Sequence, residues 1–169
     1  MNKSLLNIYR CILIILLISV MCLIFCFSNQ NGEESGSISE IVSEKIIDIF
    51  CSKKTPAEKK ILSKNIEGYI RKLAHFSIYL TLGLILCALL CTYNLTQKQI
   101  IIACLGFGII YATSDEIHQT FINQRSGNII DVWIDNLGLM TGTYFILIIA
   151  EIRRLINESK NKRKEKIKE

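Results

Sequence analysis

The sequence predicts an all-α integral membrane protein, a bundle of about four transmembrane helices with an extracytoplasmic amphipathic segment between the first and second spans. Three observations predict it. Half of the 169 residues are hydrophobic, and they gather into long runs that carry little charge. Four of those runs approach the ~20 residues that a helix rising about 1.5 Å per residue needs to cross about 30 Å of hydrocarbon. The residues capable of chemistry cluster where the runs end.

The first span, about 8–27, contains the uncharged run Cys11–Phe27 after Lys3 and Arg10. No small-x-small cleavage pattern follows it, so it reads as a retained signal anchor rather than a cleaved leader. After the polar stretch Ser28–Gly36, Ser37-Ile38-Ser39-Glu40 fits a capping box. Ile38, Ile41, Val42, Ile46, Ile49 and Phe50 then recur at helical spacing, predicting an amphipathic helix over 37–50 on the membrane surface.

A second helix start lies at Thr55-Pro56-Ala57-Glu58, with proline at the first helical position and an acid three residues after the cap. Its pattern covers 56–70 and leads into the second span, 73–93, with Gly68 as the expected bend. The third span is 99–116, entered by a tight turn at Asn94–Gln99, and the fourth is 132–150. Gly83, Gly106, Gly108, Gly138 and Gly142 are expected to let these helices approach closely. Residues 1–150 form one domain, since neither a Gly/Ser linker nor an internal repeat divides them.

The net charge of +5 resides mostly in the tail, 151–169, which is rich in lysine and arginine. A polybasic segment directly after a span points to anionic headgroups and a cytoplasmic location, not to nucleic acid. With four spans, the N-terminus is then cytoplasmic too. Seven cysteines are present, but all except Cys51 fall inside the apolar runs. They read as small hydrophobes, not as a disulfide framework or a metal-thiolate site.

Charge near hydrocarbon costs roughly 2.5–3.5 kcal/mol per residue at mid-membrane on insertion scales, so two polar clusters stand out. Arg71, His75 and Tyr79 form an i, i+4, i+8 stripe at the start of the second span, with Lys72 beside them. Asp115, Glu116, His118 and Gln119 close the third span, followed by Arg125, Asn128, Asp131 and Asp135. Alternation of the spans puts both clusters, with Ser28 and Gln30, at one membrane face. Intramembrane ionisable groups are functional candidates by default.

These residues also carry a resemblance. Phe27-Ser28-Asn29-Gln30, Arg71-Lys72-x-Ala74-His75-Phe76-x-x-Tyr79, Ser114-Asp115-Glu116-x-His118-Gln119-x-Phe121-x-x-x-Arg125 and Asp131-Val132-x-x-Asp135-x-x-Gly138, in that order, resemble the VanZ-like family of bacterial membrane proteins. The family often has Pro-Gly before the arginine, where this chain has Asn123-Gln124. The resemblance implies a multi-pass protein of the bacterial cell membrane and a link to low-level resistance to the glycopeptide antibiotic teicoplanin. It implies no established activity.

Three readings of the shared face follow. In the first, an anionic lipid or cell-envelope precursor is bound, with Arg71, Lys72 and Arg125 gripping it and Tyr79, Gln119, Asp131 and Asp135 completing the pocket. In the second, an interfacial hydrolase or transferase uses His75 or His118 as base or nucleophile, oriented by Asp115 or Glu116. In the third, the charges pair with one another and only hold helix ends together. The partners expected are membrane lipids, without nucleic acid, and no cofactor or metal is expected. A transporter fits poorly, because the spans show little polarity at mid-membrane.

Overall fold

The computed structural model describes residues 2–166, which form five helices: α1 (Lys3–Ser28), α2 (Gly32–Phe50), α3 (Pro56–Leu90), α4 (Gln97–Gln119) and α5 (Ile129–Lys166). No strand occurs among the described residues. The expected basic tail runs on to 169, and residues 167–169 lie outside the described residues. Helices α1, α3, α4 and α5 are long and apolar enough to cross a membrane, so the fold class is the one that the apolar runs predict. Ile12, Ile15, Ile18 and Leu23 of α1 are exposed while Leu13 and Ile24 are buried. That arrangement suits a helix whose outer solvent is hydrocarbon.

Helix α2 begins earlier than expected. It starts at Gly32, not at a Ser37 cap, so Ser37 is an interior helical residue. The start is set across the chain: the Gly32 N–H donates to the Asn123 carbonyl at 3.1 Å. A Cβ at Gly32 would also collide with the Gln124 backbone. Local capping chemistry gives way here to a tertiary contact. The face that α2 buries carries Ser39, Ser43 and Ile47, at i, i+4 and i+8, while Ile41, Ile49 and Phe50 are exposed.

Helix α3 begins as its sequence predicts. Thr55 accepts from the Glu58 N–H, and the Glu58 carboxylate accepts from the Thr55 N–H at 2.9 Å, completing a capping box with Pro56 in the first turn. The expected bend at Gly68 is absent, and α3 continues unbroken for 35 residues. Glycine in a helix interior costs only about 1 kcal/mol and removes no backbone hydrogen bond, so packing along both flanks carries the helix through. At about 1.5 Å per residue α3 is roughly 52 Å long, about 20 Å more than the hydrocarbon core requires. Helix α2 packs on α3, and Lys59 near the start of α3 pairs with Asp48 of α2 at 2.8 Å.

The most extensive packing joins α3 to α5. A Cβ at Gly83 would strike the Leu139 carbonyl, one at Gly138 the Phe76 carbonyl, and one at Gly142 the Leu80 carbonyl. These glycines bring two parallel helix backbones into contact. Gly108 similarly faces the Asn136 side chain, but Gly106 meets nothing within 4 Å and is not a packing point. Thr96 and Gln99 form a second capping box that starts α4. All seven cysteines are free, with Cys87 and Cys104 buried in the core.

Candidate functional site

The α3–α5 contact positions the first half of the site. His75 is adjacent to Phe76, whose carbonyl meets Gly138, and Asp135 lies one turn before Gly138. The close approach therefore sets the two ionisable side chains opposite each other, with His75 Nδ1 3.4 Å from Asp135 Oδ1. The contact lacks hydrogen-bond alignment, and both Asp135 oxygens are buried without a hydrogen-bond partner. Asp135 itself is 0% exposed. Glu116 comes in from α4, and one donor atom from each of His75, Glu116 and Asp135 lies within 4.8 Å of the others.

Glu116 is held from two sides. The Asn128 N–H donates to its Oε2 at 2.8 Å, and the Gln119 amide donates to its Oε1 at 3.1 Å. The same amide nitrogen donates to Asp115 Oδ2 at 3.2 Å, so Gln119 bridges two acids on successive positions of α4. Asn128 also caps the start of α5, its Oδ1 accepting from the Ile130 N–H at 3.0 Å. The loop between α4 and α5 thus aims a backbone donor into the acidic group.

The second half of the site is built around Arg125. Its Nη1 donates to the Phe27 and Ser28 carbonyls at 3.1 and 2.8 Å, and its Nη2 donates to Ser35 Oγ at 2.8 Å. Carbonyls in the last turn of a helix lack intrahelical partners and carry the negative end of the macrodipole, so a guanidinium satisfies both needs at the end of α1. Just before it, Gln124 holds φ at 59°. That left-handed conformation favours glycine. The Gln124 amide compensates in part by donating to Glu33 at 3.0 Å.

Arg71 approaches the same space from α3, and its only ion pair among the described residues is with Glu67 at 3.4 Å. Burial lowers the Arg125 pKa from its ordinary value, and the like charge of Arg71 lowers it further. Arginine nevertheless stays protonated in proteins. Among the described residues no ion pair joins Arg71, Lys72 or Arg125 to Asp115, Glu116, Asp131 or Asp135. The mutually pairing arrangement expected of a purely structural cluster is therefore not the one adopted.

Between α1, α2 and α3 lies a cavity of about 300 Å³. Arg71, His75, Asp115, Arg125, Ser28, Gln30, Ser35 and Ser39 supply its polar lining, and Ile24, Phe27, Ile38, Val42, Ile70 and Ile78 its apolar walls. The volume is at the small end of ligand pockets, and the division of the lining suits an amphiphile.

The remaining candidates are distributed differently. Lys72 is exposed and does not line the cavity. Tyr79 is fully buried beneath His75, its ring centroid 6.2 Å from that of Tyr111 and its hydroxyl without a partner. His118 stacks on Phe25 at 5.0 Å, outside the His75 group, with Nε2 buried and unpartnered. Asp131 lies in the first turn of α5, its Oδ1 also unpartnered. The sequence reading missed Ser35 and Ser39. Their i, i+4 spacing, continued by Ser43 and Ile47 along one face of α2, is the signal that could have found them.

No curated protein and no solved structure matches the chain. The VanZ/LLP1 family matches residues 13–150, from within α1 to the part of α5 that precedes the basic tail. That range includes every residue of the cavity and of the acidic group, and on this match the chain belongs to the VanZ/LLP1 family.

Proposed function

We propose that the cavity binds an anionic amphiphile, a membrane lipid or a lipid-linked cell-envelope precursor, and that this underlies a contribution to glycopeptide resistance, teicoplanin in particular. The observation that carries the reading is the pair Arg71 and Arg125, which line one cavity with aliphatic walls, and neither of which forms an ion pair with the cavity's Asp115 among the described residues. Guanidinium groups recognise phosphate and carboxylate through paired charge-assisted hydrogen bonds. An acyl or polyprenyl chain would lie against Ile38, Val42 and Ile78. In this reading the cavity is extracytoplasmic and both termini are in the cytoplasm of a bacterial cell. Support comes from the basic residues of the opposite end, Lys3, Arg10, Lys98, Arg153 and Arg154.

Arg71 is the better test residue, because Arg125 also holds α1 to α2. Native mass spectrometry of the protein from nanodiscs containing phosphatidylglycerol should show retained lipid. Arg71→Gln should reduce retention about tenfold, the equivalent of one charge-assisted hydrogen bond of about 1.4 kcal/mol. Lys72→Gln should leave it unchanged. Equal retention by wild type and Arg71→Gln would sink the proposal. In cells, expression should raise the teicoplanin concentration that stops growth, and Arg71→Gln should remove the rise at equal protein abundance.

A hydrolase or transferase acting on the same amphiphile is the second reading, favoured by the contact of His75 with Asp135. It predicts that expression changes a lipid or precursor species in the membrane, and that His75→Gln abolishes the change. A membrane composition unaltered by expression would rule it out.

A further inference from the structure

We infer that His75, Glu116 and Asp135 form a binding site for one divalent transition cation of the Mn²⁺ or Zn²⁺ class. The site stands whether or not an amphiphile occupies the neighbouring cavity. The three side chains come from α3, α4 and α5, and their donor atoms lie within 4.8 Å of one another. Three donors sharing one ion at about 2.1 Å lie about 3.0–3.6 Å apart. His75 Nδ1 and Asp135 Oδ1, at 3.4 Å, already have that spacing, and a pair at the 4.8 Å limit would close by up to about 1.8 Å on binding.

Asp135 supplies the independent reason. It is 0% exposed and neither oxygen accepts a hydrogen bond. A buried carboxylate in that condition is expensive unless it is paired or coordinates a metal. The misaligned contact with His75 does not supply the hydrogen bond. Asp115 and Asp131 add negative potential at the same point, which favours a cation with more than one charge.

The surroundings resemble the outer shell of a metal centre. Glu116 is oriented by the Asn128 N–H and the Gln119 amide, the kind of second interaction that fixes a ligating carboxylate. One imidazole and two carboxylates suit Mn²⁺, Fe²⁺ or Zn²⁺ better than the all-oxygen preference of Ca²⁺. Three protein ligands leave at least one position open, and His75 lines the cavity. An anionic group held by Arg71 and Arg125 could therefore reach the ion's open side.

The test uses the full chain in phosphatidylcholine nanodiscs, stripped with chelator and titrated with Mn²⁺, free ion being read from its electron paramagnetic resonance signal. Wild type should bind one equivalent saturably. Asp135→Asn and Glu116→Gln should each weaken binding at least about tenfold, the lower end of what even outer-shell changes cost. Near-ultraviolet circular dichroism of the tyrosines and Trp133 identifies which variants remain folded. The bound Mn²⁺ should show nitrogen coupling that disappears in His75→Gln. Absence of saturable binding by wild type, undiminished binding by either folded carboxylate variant, or bound Mn²⁺ without nitrogen coupling each overturns the inference.

Discussion

The two ends of the bundle treat their polar groups in opposite ways. Where α1 begins and α3 stops, polar side chains close helix ends. Arg10 donates to the Thr92 hydroxyl at 3.0 Å and to the Thr92 carbonyl, and its guanidinium lies 4.2 Å above the Tyr93 ring centroid. Thr96 and Gln99 cap α4, and Gln97 reaches Glu151 of α5. At the other end Arg125 performs a similar service for α1, but around it the accounting fails to close. Every buried side-chain polar atom without a hydrogen-bond partner among the described residues belongs to Ser28, Tyr79, His118, Asp131, Asp135 or Asn136. All of these lie in the half that holds the cavity.

An orphaned buried polar group costs roughly 1–3 kcal/mol. Several together are what a region kept for something other than stability would show, whereas at the opposite end the polar groups fasten helices. Substitutions at the fastened end should therefore destabilise, and some at the cavity end should stabilise while removing function.

The largest expected effect tests the contact that creates the cavity half. Gly138→Leu would drive α5 away from the Phe76 carbonyl, lowering stability by about 3 kcal/mol, the upper range for overpacking; thermal unfolding in detergent checks it. Asp135→Asn should act in the opposite sense. In chelator it should raise stability by about 2 kcal/mol by replacing a buried carboxylate that accepts no hydrogen bond. A loss of stability in chelator would mean that Asp135 is already well satisfied, and the contrast between the ends would break.

At the fastened end Arg10→Ala should cost about 1–2 kcal/mol through two hydrogen bonds and a cation–π contact. The same unfolding assay measures it, and no lipid or metal binding should be lost. The smallest effect belongs to Gln124→Gly. Relief of left-handed backbone is worth about 1 kcal/mol, offset in part by losing the amide contact with Glu33. A net gain of about 0.5 kcal/mol is expected, and a loss would show that the Glu33 contact outweighs the backbone.

The four spans were legible because hydrocarbon demands length and apolarity, and both are visible residue by residue. The start of α3 was legible because its cap is local: Thr55, Pro56 and Glu58 contain the whole instruction. The start of α2 was not. Gly32 is fixed by Asn123 and Gln124, some ninety positions away, and no local pattern outranked the misleading Ser37-x-x-Glu40. Gly68 misled for a related reason, since a small intrinsic penalty says nothing of the packing that overrides it.

In the site, alternation of spans collected the polar residues at one face, and helical spacing put Arg71, His75 and Tyr79 on one stripe. Partner choice was beyond that logic. Lys72 and His118 sit one position from residues that enter the cavity or the acidic group, yet about 100° of helical rotation per residue turns them elsewhere. Asp135 was visible as a charge in a span, but its meeting with His75 depends on Gly138 lying against a carbonyl of another helix.

The unbroken course of α3 makes the protein responsive to membrane thickness. The cavity is lined by α3 from Ile70 to Ile78, where the apolar span begins in the sequence, and a helix without a hinge at Gly68 cannot fold its first part aside when the bilayer changes. Mismatch of a few ångströms is met by tilting or by local adjustment of the lipid, at fractions of a kcal/mol per Å. A thicker membrane therefore draws the cavity mouth toward the acyl chains and a thinner one lifts it into the headgroups. If the cavity takes an amphiphile as proposed, the chain length of the surrounding lipid becomes a control on what can enter.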